Sequence, residues 1–278
     1  MLKLVYGKSG SGKSTFLYED IQRNMDREKV FLIVPEQSNL KAEQKLFAHL
    51  GTKSIFNVQV LTLSRLAVRV LEEVGGEDFV TIDNSSKAMV IYDILNREKG
   101  NLHFLGKSDK NIEIVANMIT ELKKHNITQE ILENSKTIDT LTNLKLEDIK
   151  LIFQKYQEKL QGNFVDENDI LSIVTPKILE ASIFEDATVY IDDFMGFTPQ
   201  EYGVFENILK VAENVTIAVS TDNLNVGDKE SDIFYFNKLF ANRLVEIADK
   251  NGVKVETVRI EGKSKNRTRR VKVFGNSV

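Results

Sequence analysis

Leu2-Lys3-Leu4-Val5-Tyr6-Gly7-Lys8-Ser9-Gly10-Ser11-Gly12-Lys13-Ser14-Thr15 is the stretch that decides the fold. The apolar run Leu2–Tyr6 reads as a buried strand, and Gly7 to Ser14 fits the P-loop pattern G-x-x-x-x-G-K-[ST] at every fixed position. Phe16, Leu17 and Ile21 then begin an apolar helical face. Each residue type has a physical task. Gly7, Gly10 and Gly12 admit positive φ and close approach of the backbone to an anion. The N–H groups of Ser9, Ser11 and their neighbours, and those of the new helix at Ser14 and Thr15, form an anion nest. Lys13 reaches β- and γ-phosphates, and the Ser14 hydroxyl joins a Mg²⁺ shell. The expected cofactors are therefore ATP and Mg²⁺.

Working outward, Val30–Val34 is a second apolar strand closed by Pro35, followed by a helix from about Leu40 to Leu50. Residues Ile55 to Leu61 read as a third strand, and a helix over Leu66–Val74 stops at Gly75-Gly76. Strands alternating with helices imply a parallel sheet made of βαβ units. From about Ile82 the pattern turns helical, with apolar i, i+3, i+4 spacing in Ser85–Glu98, Lys110–His125, Leu144–Leu160 and Asn168–Glu180. The α/β pattern resumes at Thr188–Ile191, with a helix at Pro199–Ala212, a strand at Val215–Val219, a helix at Ile233–Lys250 and a strand at Val253–Ile260. The expected organisation is an α/β P-loop NTPase (RecA-like) parallel sheet over 1–81 and 185–278, with an inserted all-helical subdomain over 82–184.

Composition narrows the function classes. The 278 residues are 42% hydrophobic and 28% charged, as in a soluble globular protein. No apolar run approaches the ~18 residues of a membrane helix, and Met1 leads straight into the first strand without room for a signal peptide. Cysteine is absent, which excludes disulfides and thiolate metal sites. A cytoplasmic location, away from membranes, is expected. The net charge of −4 argues against nucleic-acid binding through overall charge. One dense basic run, Lys263, Lys265, Arg267, Arg269, Arg270 and Lys272, reads first as a solvated tail.

A P-loop needs a carboxylate for its metal, at the end of a neighbouring apolar strand. Val189-Tyr190-Ile191-Asp192 has that form, which assigns Asp192 to the Mg²⁺ shell beside Ser14. Asp193 is the next catalytic candidate, to orient or deprotonate water, with a solvated turn residue as the alternative. Gln200 is placed to sense the γ-phosphate if its helix starts beside the site, and otherwise is a first-turn surface residue.

At these residues the chain resembles a known family. The N-terminal P-loop, Val30–Gln37 (VFLIVPEQ), Thr62–Gly76 (TLSRLAVRVLEEVGG) and Tyr190–Glu201 (YIDDFMGFTPQE) look like AddB, the second subunit of bacterial AddAB helicase–nucleases that process double-strand DNA breaks. More broadly the layout is similar to domain 1 of superfamily 1 helicases such as UvrD. Val34–Ala42 and Thr62–Arg69 stand at DNA-facing motifs, Asp192-Asp193 at motif II, Gly196–Gln200 at motif III, and the helical block at subdomain 1B. The resemblance implies an ATP-binding, motor-like scaffold that pairs with an AddA subunit as a heterodimer and holds DNA in repair and recombination. It also implies a nuclease domain and a 4Fe-4S cluster, both beyond residue 278. The chain then reads as the N-terminal part of a longer protein. Two departures, no adenine-reading Gln segment before Gly7 and Asp-Asp in place of Asp-Glu at motif II, point to weak or no ATP hydrolysis by this chain alone.

Ligands of parallel α/β sheets sit at the carboxyl ends of the strands. Pro35–Asn39 and Thr62–Arg65 leave such ends, so Gln37, Thr62, Ser64 and Arg65 are the candidates for contacts to DNA phosphates. The competing reading has Thr62 and Ser64 capping the following helix. Two other functional readings stand beside the helicase one: a free-standing P-loop kinase or ATPase, and a catalytically silent nucleotide-binding assembly module.

Overall fold

Short, continuous apolar runs become the strands of one seven-stranded sheet, as expected where both faces of a parallel sheet are covered. The computed structural model describes residues 1–26, 29–51, 57–76, 79–107, 111–162, 164–262 and 270–275. In chain order, β1 (Leu2–Gly7), α1 (Lys13–Asn24), β2 (Val30–Ile33), α2 (Asn39–Leu50), β3 (Val58–Leu61) and α3 (Leu63–Val74) come first. Next are β4 (Val80–Ile82), α4 (Asn84–Arg97), α5 (Asn111–Lys124), α6 (Gln129–Asn134), α7 (Thr140–Leu160), β5 (Phe164–Asp166) and α8 (Ile170–Lys177). Then follow β6 (Thr188–Ile191), α9 (Pro199–Val211), β7 (Asn214–Ser220), α10 (Tyr235–Lys250), β8 (Val255–Glu261) and β9 (Arg270–Gly275). No helix among the described residues is long and apolar enough to cross a membrane.

The sheet order is β3-β2-β6-β7-β1-β8-β9, all parallel except β9, which runs antiparallel to β8. Arg270 and Lys272, read from the sequence as part of a solvated tail, therefore lie in a strand, while residues 263–269 of the basic run and 55–56 of the expected third strand lie outside the described residues. Val5, Leu17, Ile21, Leu32, Leu46 and Tyr190 are buried together in the core beside the sheet. The Tyr190 hydroxyl, at β6, donates to Asp20 of α1 at 3.0 Å and accepts from Asn24 at 3.1 Å, which fixes α1 against the sheet.

By packing, the chain forms two compact units: residues 1–75, 174–197 and 201–278, and residues 76–173 with 198–200. The divisions fall at 75/76 and 173/174, where the sequence pattern suggested 81/82 and 184/185. Lys177 Nζ donates to the Gly75 carbonyl at 3.1 Å, so the chain leaves and re-enters the sheet unit at neighbouring points.

The second unit is not all helical, which corrects the sequence reading. Val80-Thr81-Ile82 pairs in parallel with Phe164-Val165-Asp166. Three-residue strands this far apart carry too little alternation to be seen in a sequence window. Around them Ile91, Val115, Ile119, Ile152, Phe153 and Tyr156 form an apolar core. Asp83, Thr128 and Asp139 cap α4, α6 and α7 by accepting the N–H groups of Ser86, Ile131 and Thr142. Asp166, fully buried at the end of β5, meets the equally buried Lys87 ammonium at 3.0 Å and accepts from the Tyr156 hydroxyl at 2.8 Å. Lys123 lies 3.7 Å from the same carboxylate and pairs with Asp169. Burial pushes the Asp166 carboxyl up, but the Asn168 N–H and the two ammonium groups outweigh it and hold it below the usual carboxylate range.

Removing one partner of such a pair strands a buried charge. Lys87→Met is expected to destabilise this unit by about 3–5 kcal/mol in chemical denaturation. A loss below about 1 kcal/mol, the size of an exposed pair, would show that Asp166 is satisfied without Lys87.

Candidate functional site

β1 ends at Gly7 between β7 and β8, and the glycine loop grows from that point. The Gly7 carbonyl accepts from the Thr221 N–H at 3.1 Å and from the Lys13 ammonium at 2.9 Å. Lys13 also donates to the Lys8 carbonyl at 3.1 Å. A Cβ on Gly7 would lie 2.4 Å from the Ile260 carbonyl oxygen, so only glycine fits between the two strands. Gly10 and Gly12 turn the loop with φ of +74° and +96°, in the left-handed region. The Ser11 N–H closes the loop onto the Lys8 carbonyl at 3.1 Å, and Ser9 and Gly10 are exposed at its tip. α1 begins at Lys13 with Gly12 as its cap residue, and its first-turn N–H groups, Lys13 to Thr15, have no acceptor within the helix.

Across from the loop, Asp192 leaves the end of β6 at 7% exposure, and Lys13 is 8% exposed. The Ser14 hydroxyl hydrogen-bonds the Asp192 carboxylate. Burial pushes that carboxyl up; the bonds from Ser14 and from the Asp193 N–H, 2.9 Å away, oppose it without reversing it. Burial likewise pulls the Lys13 ammonium down, with the Asp192 charge opposing. The Tyr18 phenol is pushed up to about 12 by burial, then by Asp192 and Asp193. The site thus holds two poorly solvated charges facing a loop of backbone donors.

Asp193 is exposed, holds a left-handed φ of +67° and accepts a hydrogen bond from the Ser38 hydroxyl. Ser38 was missed in the sequence. Only the fold brings it here: β2 and β6 are neighbours in the sheet, so the residues after their ends meet. Gln200 is buried, and its amide donates to the Asn168 carbonyl at 2.8 Å and the Ser172 hydroxyl at 2.9 Å, within the second unit. Its side-chain amide NH₂ is committed there rather than to the Lys13–Ser14–Asp192 group.

Among the DNA candidates, Thr62 is buried and caps α3 by accepting the Arg65 N–H at 3.3 Å. The capping alternative therefore holds for Thr62. Ser64 is exposed and does not cap; its N–H donates to Glu36 at 3.3 Å. Gln37 and Arg65 are exposed, and Arg65 and Arg69 line a groove of about 500 Å³ beside β3.

The family described as "ADDB, N-terminal" matches residues 4–273. The chain belongs to this AddB family. It is 35% identical over 268 residues to a Clostridium tetani protein named as a subunit of an ATP-dependent helicase/deoxyribonuclease, covering 92% of this chain and 23% of that protein. Relatives of the same name from Clostridium botulinum (Loch Maree) and Clostridioides difficile (strain 630) are each 36% identical, over 92% and 91% of this chain and 23% of their own length. The chain thus spans about a quarter of the AddB relatives it matches.

The raised carboxyl of Asp192 sets a pH dependence. Its contribution to stability is full below the unfolded value of about 3.9 and is lost as pH rises through the higher folded value. At neutral pH the ionised group is a cost. Asp192→Asn is expected to stabilise the bare chain at pH 7 by about 0.5–2 kcal/mol, with the gain shrinking as pH falls towards about 4. Urea unfolding across that range checks it; a destabilised variant at pH 7 would mark Asp192 as a structural anchor.

Proposed function

We propose that this chain is the nucleoside-triphosphate-binding, motor-like N-terminal region of an AddAB-type helicase–nuclease, built on a RecA-like P-loop core. The observation that carries the reading is the grouping of Lys13, Ser14 and Asp192 at the mouth of the glycine loop. The donor set fits the groups it would hold. Lys13 sits on two carbonyls, which it can exchange for phosphate oxygens without leaving the loop. One carboxylate and one hydroxyl are the hard oxygen donors that suit Mg²⁺ when substrate phosphates and water complete its shell. When bound, that ion would neutralise charge on the phosphates. The N–H groups of Ser9, Gly10 and the first helical turn, Lys13 to Thr15, cradle the anion, and Lys13 supplies a point charge.

Turnover by this chain is a separate matter. Asp193 is the residue beside the site suited to position water, but its carboxylate is engaged by Ser38. That engagement favours slow hydrolysis and supports, as a second reading, a silent nucleotide-binding assembly module. Membership of the AddB family sets the free-standing kinase aside. The relatives are named as one subunit of an enzyme, which supports a partner chain, which we assign as AddA, and a role on DNA in the cytoplasm. Gln37, Ser64 and Arg65 follow β2 and β3 at the sheet end that also carries the glycine loop, and suit phosphate contacts on DNA.

Calorimetry with ATP and Mg²⁺ tests the binding claim. Lys13→Ala is expected to weaken binding by about 1.5–3 kcal/mol, the value of a charge-assisted hydrogen bond. Wild-type turnover is expected to be far below about 1 s⁻¹, since an arginine finger from elsewhere is worth ~10³–10⁵ in rate. Equal affinities of the two proteins would sink the reading. Titration with single-stranded DNA at low salt tests the second surface. Arg65→Ala and Gln37→Ala are each expected to weaken binding, Arg65→Ala by about 1–2 kcal/mol. No effect from either, with binding abolished by neutralising Lys263, Lys265, Arg267 and Arg269, would move the DNA contact to the basic run.

A further inference from the structure

A second cavity, of about 320 Å³, flanks the glycine loop. Lys8 and Ser11 line it from the loop, Asp222 from beyond the end of β7, and Arg259, Glu261 and Gly262 from the end of β8. The Ser11 hydroxyl there is buried and has no hydrogen-bond partner.

The walls specify the kind of ligand. Asp222 is oriented by the buried Lys238 ammonium at 3.1 Å, which Asp232 holds in turn at 2.8 Å. Lys238 and the Asn223 amide at 3.1 Å both bind Oδ1 of Asp222, which fixes the carboxylate. A fixed carboxylate oxygen matches the hydroxyl donors of a sugar. The Arg259 guanidinium is held only loosely, 3.9 Å from Glu261. A guanidinium plane stacks on any base, because every base has a π-face. Among the described residues no lining side chain is aromatic, and none is a carboxamide able to read a base edge.

We propose that this cavity takes the nucleoside end of a ribonucleoside triphosphate, with Asp222 reading the ribose and Arg259 stacking on the base without distinguishing it. The proposal rests on the glycine loop holding the phosphates. It makes the ligand class of the site ribonucleoside triphosphates in general rather than adenine nucleotides alone.

Calorimetry on the 278-residue chain with Mg²⁺ tests it, with ATP, GTP, CTP, dATP and inorganic tripolyphosphate as probes. ATP, GTP and CTP are expected to bind within about threefold of one another, dATP about fivefold more weakly than ATP, and tripolyphosphate at least about tenfold more weakly. Arg259→Ala is expected to weaken ATP more than tripolyphosphate and so bring the two affinities together. Asp222→Asn is expected to erase the preference for ATP over dATP. A preference for ATP over both GTP and CTP of about tenfold or more, or tripolyphosphate binding as tightly as ATP, overturns the proposal and leaves the phosphate loop standing. Failure of both ATP and tripolyphosphate to bind removes the phosphate reading and this one together.

Discussion

The Gly7 carbonyl is the fixed point of the sheet unit. It ends β1, accepts the Thr221 N–H that follows β7, and holds the Lys13 ammonium that starts α1. On the other side the residue has no room for a side chain against the Ile260 carbonyl of β8. Three consecutive strands of the sheet thus converge on one peptide unit. A loop rooted this firmly keeps its N–H groups in place before any anion arrives, which is the pre-organisation that electrostatic recognition needs. The buried charges of Lys13 and Asp192 cost stability in the bare chain, and the surrounding packing of Leu17, Ile21 and Tyr190 offsets that cost.

The two units solve the problem of buried polar groups differently. In the sheet unit, the poorly solvated charges are left facing a loop that can exchange partners. In the second unit, Lys87, Lys123, Asp166 and Tyr156 satisfy one another inside an apolar core. Asp148 does the same on a smaller scale, accepting the N–H groups of His103, Phe104 and Leu105 at 2.7–2.9 Å. A network of this kind specifies one arrangement of helices.

Much of this was legible in the sequence where a single local pattern carries the physics. The strand, glycine loop and helix of Leu2–Ile21 need only their own residues, and Asp192 follows from one apolar strand. What was not legible depends on partners far along the chain. Ser38 meets Asp193 across 155 residues, and β4 finds β5 only in the folded unit. Thr62 shows a different limit. Its hydroxyl suits both a phosphate and a helix cap, and only its burial decides for the cap. β9 was hidden by its Arg and Lys content, although Val271, Val273 and their neighbours alternate as an edge strand does.

The strand order has a consequence for how the molecule comes into being. β1 is the first strand in the chain, yet its sheet neighbours are β7 and β8. The Met1 amine reaches the Glu213 carbonyl across a separation of 212 residues. Loop closure over such a distance is slow, and strands awaiting remote partners are exposed to wrong pairing. During synthesis β2 and β3 can pair at once, and the second unit can close on itself through β4 and β5, while β1 must wait for β7 and β8. The glycine loop is thus translated well before the strands that flank it and is among the last segments to acquire its shape, so a chain stalled before β8 has no anion site to occupy.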